Sequence, residues 1–393
     1  MRIAKVTGMI VRIRLRKEFR HASYRRNWSD NFIVRCQLED GTVGWGEGVP
    51  RTYVTGESPE SALHQLAVTD LRSQIGAKCL TWKEVLDVCS AYRPHVETDD
   101  PRGCMANAHR CALELSVLDA YGRLFEQSLR RVVEWLPESA GIRRHCARVQ
   151  YSTAINSGKI GKEILSSLAM RIYGFSHCKI KVGMNPELDP QRLRSIRRWI
   201  GNTMDLRVDA NEAWTVDEVI RRIQALGPFN LSAVEQPVPH AGVACLARVR
   251  RNVKTAIMLD ESLTGQEDAQ RAIDEGLCDL FNIRISKCGG FLSSIRLAAV
   301  AHNAGLGYQL GCHPGESAIL SAAGRHFATS IGGVHYCEGS ADGHLLKDHF
   351  AQRPLTFGYG GWANAIDGFG LGIHVDQRKM SPLIQKSNTF AIS

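Results

Sequence analysis

Three acidic residues in the middle of the sequence recur at a near-constant interval, and each closes a short apolar run: Asp209, Glu235 and Asp260. If these runs are neighbouring parallel strands, their carboxyl ends lie at one edge of a sheet and the carboxylates converge. Converging carboxylates repel one another unless a cation lies between them, and all-oxygen ligation suits Mg²⁺ or Mn²⁺ rather than zinc. A polar strand end or a helix N-cap explains any one of them taken alone. Only the shared interval favours a metal site.

A Lys-Ile-Lys tripeptide, with Lys179 and Lys181 at its ends, lies one run earlier. Residues i and i+2 of a strand face the same side, so both ammonium groups are expected to point into the same space. Two such charges lower each other's pKa, and a lysine with a lowered pKa can act as a general base. Together with the carboxylates, this pattern indicates removal of the proton α to a carboxylate, with a divalent cation stabilising the enediolate that forms.

The elements that must position these residues follow a repeat. Short apolar or β-branched runs alternate with helical stretches at steps of about 25 residues, the length of one strand–helix unit. The runs are His177–Val182, Met204–Val208, Leu231–Val234, Ala256–Leu259, Leu280–Ile285, Gly307–Gly311 and Val334–Cys337. A doubly wound sheet is the competing fold, but neither a G-x-G-x-x-G nor a Walker pattern occurs. We therefore predict an α/β fold with a modified TIM barrel of the (β/α)7β type.

The first third of the chain predicts a smaller α+β domain. Residues 1–15 alternate apolar and basic positions as a strand does, and Asp40–Gly41 marks a hairpin. Residues 57–75 and 104–126 carry apolar positions at helical spacing. We predict an α+β domain over residues 1–135, the barrel over 136–350, and a C-terminal segment over 351–393 that returns to the first domain, with a strand at Leu371–Val375.

Composition limits the function classes. Hydrophobic residues make up 44% and charged residues 23% of the 393 residues, as in ordinary globular proteins. No stretch reaches the roughly 20 apolar residues of a membrane helix, and the twelve cysteines form no C-x-x-C pair. We expect no signal peptide, no membrane contact and a cytoplasmic location. The net charge of +9 leaves a non-catalytic anion- or nucleic-acid-binding protein as an alternative, but no nucleic-acid motif accompanies it.

The ordered motifs resemble the enolase superfamily, whose members are like muconate lactonizing enzyme and mandelate racemase. The subgroup that the chain resembles most contains muconate lactonizing enzymes, dipeptide epimerases and o-succinylbenzoate synthases. The matching stretches are G-W-G-E at 44–47, C-K-I-K-V-G at 178–183, R-V-D-A-N at 207–211, V-E-Q-P at 234–237, L-D-E-S at 259–262, N-I-R-I-S-K-C-G-G at 282–290 and G-L-G-I-H-V-D at 370–376. They cover nearly the whole chain.

This resemblance implies roles for the residues above. Asp209, Glu235 and Asp260 would hold Mg²⁺, with Mn²⁺ as the alternative. Lys181 would be the general base, and Lys179 would bind the carboxylate of a small-molecule substrate. The resemblance also implies a homo-oligomer.

The resemblance extends to supporting and capping residues. Asn211 and Glu261 would support the metal ligands from behind. The N-terminal domain would cap the barrel mouth through loops near residues 19–28 and 49–56. The residues of these loops that could contact substrate are Arg20, His21, Arg25, Arg51 and Tyr53.

One departure from the family pattern changes the expected reaction. The sixth barrel strand normally ends in a second lysine, but here Arg284 stands at that position and Lys287 follows in the loop. A guanidinium stays protonated, so Arg284 cannot accept a proton, although it can stabilise an enediolate or clamp a carboxylate. We therefore predict a one-base β-elimination (a dehydratase) or a cycloisomerisation. The alternative is a racemase or epimerase of an amino-acid derivative or dipeptide, with His313 or Lys287 as second base. Drift from lysine in an inactive relative is the remaining interpretation.

Three residues near the ends of the last two strands are further candidates. His313 falls near the position of a catalytic histidine in the mandelate racemase subgroup, but Arg284 replaces the aspartate that pairs with it there. Glu316 could protonate a leaving group, and Glu338 could reach the substrate carboxylate. A packing role for His313 and a helix N-terminal role for Glu316 are equal alternatives.

Overall fold

The structure is a computed structural model that describes residues 1–20, 25–156 and 159–393, without the side chains of residues 19, 20 and 25. Its strands are β1 (Ile3–Arg20), β2 (Arg25–Leu38), β3 (Val43–Gly48), β4 (Arg148–Gln150), β5 (Thr153–Ile155), β6 (His177–Lys181), β7 (Asp205–Asp209), β8 (Leu231–Glu235), β9 (Ala256–Leu259), β10 (Leu280–Ile283), β11 (Gly307–Leu310), β12 (Val334–Cys337), β13 (Trp362–Asn364) and β14 (Ile384–Ala391).

The α-helices are α1 (Thr52–Thr55), α2 (Pro59–Val68), α3 (Leu71–Ile75), α4 (Trp82–Ala91), α5 (Asn107–Leu124), α6 (Ile160–Ile172), α7 (Asp189–Ile200), α8 (Val219–Leu226), α9 (Leu246–Asn252), α10 (Gln266–Asp274), α11 (Phe291–Asn303), α12 (Ala318–Ser330), α13 (Asp342–Leu345) and α14 (Gln377–Met380). Short 3₁₀ helices lie at Leu129–Trp135, Pro137–Ser139, Gly227–Phe229, His240–Cys245, Tyr359–Gly361 and Ser381–Leu383.

The N-terminal part is an antiparallel sheet with helices packed against it. The strand order is β14-β1-β2-β3, so the last strand of the chain pairs with the first. β2 and β3 form the hairpin that Asp40–Gly41 predicted. Helix α5 packs against β3 at very short range because Gly44, Gly46 and Gly48 all face it. A Cβ at Gly46 would lie 1.9 Å from the backbone oxygen of Ala112, so no side chain fits there.

The C-terminal part is a sheet of eight parallel strands in the order β12-β11-β10-β9-β8-β7-β6-β5. Each strand except the last is followed by one of the seven helices α6 to α12. The two edges meet where Tyr151 pairs in parallel with Cys337 and the amide of Ser152 donates to Cys337 O at 2.7 Å. The predicted (β/α)7β barrel, with an α+β domain completed by the C-terminal segment, is confirmed.

The C-terminal segment corrects one sequence prediction. Leu371–Val375 is not a strand, because its backbone bonds to other elements: the amide of Leu371 donates to Asp119 Oδ1 of α5 at 2.8 Å. The strand that returns to the N-terminal sheet is β14 instead. The domain boundaries near residues 135 and 350 stay predictions.

Strand β6 shows how the barrel positions polar groups. Cys178 and Ile180 are fully buried in the apolar core, and Lys179 between them points to the other side, where it meets Glu338 of the last strand end. Among the described residues, no helix is both long and apolar enough to cross a membrane.

Candidate active site

The residues selected for chemistry end or follow consecutive barrel strands. Lys181 is the last residue of β6, Asp209 of β7 and Glu235 of β8. In the strand register, Lys181 pairs with Asp209, and Asp209 pairs with Glu235. Asp260 directly follows β9, and Arg284 directly follows β10. The fold therefore brings these side chains to one rim, at the carboxyl ends of the strands.

The carboxylates on this rim are buried and share one ammonium group. The side chains of Asp209, Glu235 and Asp260 are 0% exposed. The Nζ atom of Lys179 lies 3.4 Å from Asp209 Oδ2 and 3.2 Å from Glu235 Oε2. It also donates a hydrogen bond of 2.8 Å to Glu338 Oε2. Lys179 therefore neutralises acids from three different strands.

This environment overturns one sequence-based expectation about the two lysines. We expected Lys179 and Lys181 to lower each other's pKa. Burial alone does lower the pKa of Lys179, but three carboxylates more than offset this effect and hold its pKa above the ordinary value. These carboxylates are Glu235, Glu338 and Asp209. Lys179 is therefore a fixed cation rather than a base.

Lys181 has a different setting from Lys179. Its Nζ donates to Asp209 Oδ2 at 2.6 Å and to the side-chain oxygen of Asn211, and its side chain is 29% exposed. Asn211 also donates to Glu261 Oε1 at 3.2 Å, and its backbone is left-handed, with φ of 44°. Asparagine tolerates this conformation better than most residues. Asn211 thus fixes Lys181 beside a carboxylate while leaving it in contact with solvent.

The acids of this cluster differ in their tendency to ionise. Burial raises the pKa of Asp209, but the charges of Lys181 and Lys179 outweigh it, so the pKa lies below the ordinary value. For Glu235, burial and repulsion from Asp209 raise the pKa despite Lys179. The pKa values of these two neighbouring carboxylates are therefore shifted in opposite directions.

Arg284 lies among the same acids. One terminal nitrogen of its guanidinium contacts Asp260 Oδ2 and is 4.0 Å from both Glu235 Oε1 and Glu261 Oε1. The side chain is 8% exposed, and its Nε has no hydrogen-bond partner in the described part of the chain. The guanidinium is therefore a counter-ion to carboxylates from two neighbouring strands.

Lys287 is tied to Asp260 and to the end of β10. Its Nζ donates to Asp260 Oδ1 at 2.9 Å, to the backbone oxygen of Asp260, and to the backbone oxygen of Asn282 at 2.9 Å. The side chain is 0% exposed, and burial lowers its pKa to about 8. All three N–H donors of an ammonium are thus used for holding this loop.

His313 and Glu316 lie together in the loop after β11. His313 Nδ1 is 3.7 Å from Glu316 Oε1, and this oxygen accepts a hydrogen bond of 2.6 Å from the backbone amide of His313. Burial, followed by the charges of Arg284 and Arg51, lowers the pKa of His313 well below its ordinary value. Burial raises the pKa of Glu316 to about 8. Near neutral pH both groups are uncharged.

Glu338, which we predicted to contact substrate, is already engaged by two cations. It accepts from Lys179, and its Oε1 accepts from Arg207 Nη2 at 2.6 Å. Arg207 is 1% exposed, and its guanidinium carbon lies 4.3 Å above the ring of Tyr336. Burial would raise the pKa of Glu338, but the two cations lower it to about 2. Glu338 therefore orients Lys179 from inside the barrel.

The capping loops meet this rim at the loop after β11. Arg51 is 6% exposed and donates to Ser29 Oγ and to Pro50 O, each at 2.7 Å. A Cβ at Gly315 would lie 2.3 Å from Ser29 Oγ, so β2 and the loop after β11 are in close contact. Tyr53 is 36% exposed. His21 and the side chains of Arg20 and Arg25 lie outside the described residues.

Two side chains at this site escaped the sequence analysis. Gln236 accepts from the amide of Asp260 at 2.9 Å and donates to Ser262 Oγ at 2.7 Å, which ties the end of β8 to the end of β9. Asn282 donates to Glu235 Oε1 at 2.8 Å. The sequence contains a signal for each of them. Gln236 directly follows the candidate ligand Glu235, and Asn282 lies on the same strand face as Arg284, two residues later.

The donor set fits a hard divalent cation. Asp209, Glu235 and Asp260 offer only oxygen atoms from three consecutive strand ends, and Oδ2 of Asp260 receives no hydrogen bond within the described residues. With the side chains in their present positions, the described residues contain no group of three or more His, Cys, Asp or Glu that could hold a metal ion. Ammonium and guanidinium groups lie against the carboxylate oxygens instead.

A family model described as "Enolase C-terminal domain-like" (MR_MLE_C) matches residues 164–379, more than half of the chain. The chain belongs to the enolase superfamily. The resemblance drawn from the motifs is therefore confirmed at this level, and the protein is an enzyme of that superfamily.

Several relatives are similar over most of this enolase-superfamily chain. A hydrophobic dipeptide epimerase from Enterococcus faecalis is 29% identical over 84% of this chain and 88% of its own length. An N-succinyl-L-Arg/Lys racemase from Bacillus cereus is 29% identical over 84% of this chain and 85% of its own. The crystal structure of a dipeptide epimerase from Enterococcus faecalis complexed with Mg and the dipeptide L-Leu-L-Tyr superposes with a TM-score of 0.82 and 26% identity, over 95% of this chain and 99% of that one.

Proposed function

We propose that this enzyme epimerises or racemises an amino-acid derivative, either a dipeptide or an N-acylated amino acid, by moving the proton on the carbon next to its carboxylate. The activities named for its relatives favour this function, which was the alternative in the sequence analysis, over β-elimination or cycloisomerisation. The observation that carries the proposal is a partly exposed lysine, Lys181, held at the barrel rim 2.6 Å from Asp209 Oδ2.

The metal in this proposal is Mg²⁺, held by Asp209, Glu235 and Asp260. The donor chemistry supports it, and so does the Mg in the related dipeptide epimerase complex. When bound, the cation stabilises the negative charge that develops on the substrate carboxylate as the α-proton leaves.

The two lysines of β6 take different roles in this reaction. Lys181 removes or returns the α-proton, because its side chain is partly exposed and Asn211 holds its Nζ in place. Lys179 stays protonated through its contacts with three acids and supplies positive charge for the substrate carboxylate.

A reaction that inverts the α-carbon needs a second group on the other face of the substrate. In the eight-stranded sheet β10 lies four strands from β6, so Arg284 stands across the rim from Lys181. Its guanidinium cannot accept a proton. Lys287 donates all of its hydrogen bonds to Asp260 and Asn282. We therefore assign the second proton transfer to His313.

Two features of His313 support this assignment. It follows β11, the strand beside β10, so it lies on the half of the rim across from Lys181. Its Nδ1 atom has no hydrogen-bond partner within the described residues. Arg284 then stabilises negative charge on the intermediate.

One observation favours a second candidate. The residue across the rim from Lys181 is Arg284, which cannot accept a proton. With His313 only packed, Lys181 is the single base, and the reaction is a one-base β-elimination or cycloisomerisation.

Proton exchange in D₂O tests the proposal directly. N-acylated amino acids, dipeptides, acid sugars and unsaturated diacids are incubated with the enzyme and Mg²⁺, and incorporation of deuterium at the α-carbon is followed by NMR. Lys181→Ala should slow exchange on the face of the substrate that Lys181 serves by about a thousandfold, because a positioned base contributes roughly 10² to 10⁴. Lys386→Ala, an exposed lysine of β14, is the control and should exchange at the wild-type rate.

The stereochemistry of exchange separates the two candidates. Deuterium gained with inversion of a dipeptide or N-acylated amino acid supports the epimerase. Exchange with retention, or loss of a β-substituent, supports the one-base reaction. Exchange at the wild-type rate on both faces in Lys181→Ala would refute both candidates.

A further inference from the structure

Arg284 is built into the middle of the candidate metal-ligand acids. Its guanidinium touches Asp260 Oδ2 and lies 4.0 Å from carboxylate oxygens of Glu235 and Glu261. The other oxygen of Asp260, Oδ1, accepts from Lys287 at 2.9 Å. Each oxygen of this carboxylate thus faces a positively charged side chain.

The neighbourhood leaves room for this long side chain. A Cβ at Gly311 would lie 2.9 Å from Cγ of Arg284 and 2.0 Å from Oδ1 of Asn282, so glycine at 311 is what allows the stem of Arg284 to lie there. The buried Nε of Arg284 has no hydrogen-bond partner among the described residues. The guanidinium is therefore held mainly by the charges of the acids.

A guanidinium and a divalent cation cannot use the same carboxylates at full strength, because like charges a few ångströms apart repel strongly in a buried site. We propose that Arg284 is a built-in counter-ion of the metal-ligand carboxylates, which a divalent cation must displace from Asp260 in order to bind. The inference rests on the metal site of the proposed function. It means that Arg284 sets the metal affinity of this enzyme, in addition to any role it has toward substrate.

Metal binding to an isosteric neutral variant tests the displacement. Mg²⁺ binding is measured by calorimetry and Mn²⁺ binding by electron paramagnetic resonance, without substrate. Arg284→Met should bind both ions at least about tenfold more tightly than the wild type, since one competing positive charge has been removed. Unchanged or weaker binding overturns the proposal.

Arg250→Met is the matched control. Arg250 pairs with Asp279, the residue before β10, at the opposite end of the barrel, and the Nη2–Oδ1 distance is 2.5 Å. This variant removes the same charge from a partly exposed ion pair far from the carboxylates, so its metal affinity should equal that of the wild type. A rise as large as that of Arg284→Met would mean that net charge, not displacement, sets the affinity.

A second variant covers the case in which Arg284→Met does not fold. Arg284→Lys keeps the charge but shortens its reach, so metal affinity should rise, by less than in Arg284→Met. Affinity equal to that of the wild type in Arg284→Lys overturns the proposal. Without metal, the Tm of both variants should be lower than that of the wild type. Saturating Mg²⁺ should reduce this difference in Tm.

These measurements are independent of turnover. If metal affinity rises as expected but no substrate exchanges its α-proton, the proposed reaction fails and the role of Arg284 stands. If exchange occurs and the affinities are unchanged, the role of Arg284 fails and the reaction stands.

Discussion

The two halves of the barrel rim are built on different principles. In the first half, at the ends of β6 to β9, acids and lysines from neighbouring strands share their charges, and Lys179 lies within 3.4 Å of two acids. In the second half, at the ends of β10 to β12, a guanidinium is followed by two groups that are neutral near pH 7 and by Glu338, which Lys179 and Arg207 keep ionised. The neutral groups are His313, with a lowered pKa, and Glu316, with its pKa raised to about 8.

This difference separates two tasks. Fixed, opposite charges in the first half can hold a cation and a carboxylate, but apart from Lys181 they are poor at exchanging protons because their charges stabilise one protonation state. In the second half, neutral His313 can accept a proton and neutral Glu316 can donate one, but each transfer leaves a charge that burial disfavours. We therefore expect the first half to hold the metal and the substrate carboxylate, and the second half to set which product forms.

Removing Lys179 should have the largest effect on stability. Lys179→Ala leaves Asp209, Glu235 and Glu338 without their shared cation, and loss of one partner from a buried ion pair costs about 3–5 kcal/mol. Lys181→Ala should cost less, about 1 kcal/mol, because that side chain is 29% exposed. Urea unfolding of both metal-free variants measures the difference. If the two variants lose the same amount of unfolding free energy, the stability of the first half does not depend on Lys179 as a shared cation.

The second half is tested by replacing its neutral base. His313→Asn should lower deuterium exchange on one face of the substrate by about a hundredfold and leave the face served by Lys181 unchanged. The matched control is His326→Asn, because His326 is also buried, has its pKa lowered to about 4 by burial, and bonds to Leu371 O on the far side of α12. Equal rates on both faces in His313→Asn would remove His313 from the reaction and leave the one-base alternative.

Much of the fold could be predicted because its signals are local and repeated. The predicted runs Ala256–Leu259 and Val334–Cys337 coincide with β9 and β12. The tail was harder, since Leu371–Val375 is apolar like a strand, yet its backbone is satisfied by Asp119 and other non-strand partners. β14 is mostly polar because it is an exposed edge strand, and its pairing with β1 joins the two ends of the chain, which no local pattern reveals.

The location of a candidate site residue could be predicted where residue type and position at a strand end are sufficient, as for Asp209 and Lys181. The expected lowering of the Lys179 pKa was wrong because this pKa depends in part on Glu338, a residue 159 positions away along the chain that the barrel brings within 2.8 Å. The positions of Arg20 and His21 relative to substrate stay predictions, since the side chain of the former and the whole of the latter lie outside the described residues. The position of a residue at a strand end can be predicted from the sequence, but its pKa also depends on contacts across the barrel.

The smallest expected effect concerns pH and separates two acids of the second half. Burial raises the folded-state pKa of Glu316 from 4.5 to about 8, so its contribution to stability is complete below about pH 4.5 and is lost as pH rises toward 8. Between pH 6.5 and 8.5 the wild type should therefore lose roughly 2 kcal/mol relative to Glu316→Gln, measured by urea unfolding. Glu338 has the opposite shift, to about 2, so it is ionised in both folded and unfolded chains throughout this range. The difference in unfolding free energy between the wild type and Glu338→Gln should then stay constant with pH. If the difference between the wild type and Glu316→Gln also stays constant, Glu316 is ionised in the folded protein and the prediction is wrong.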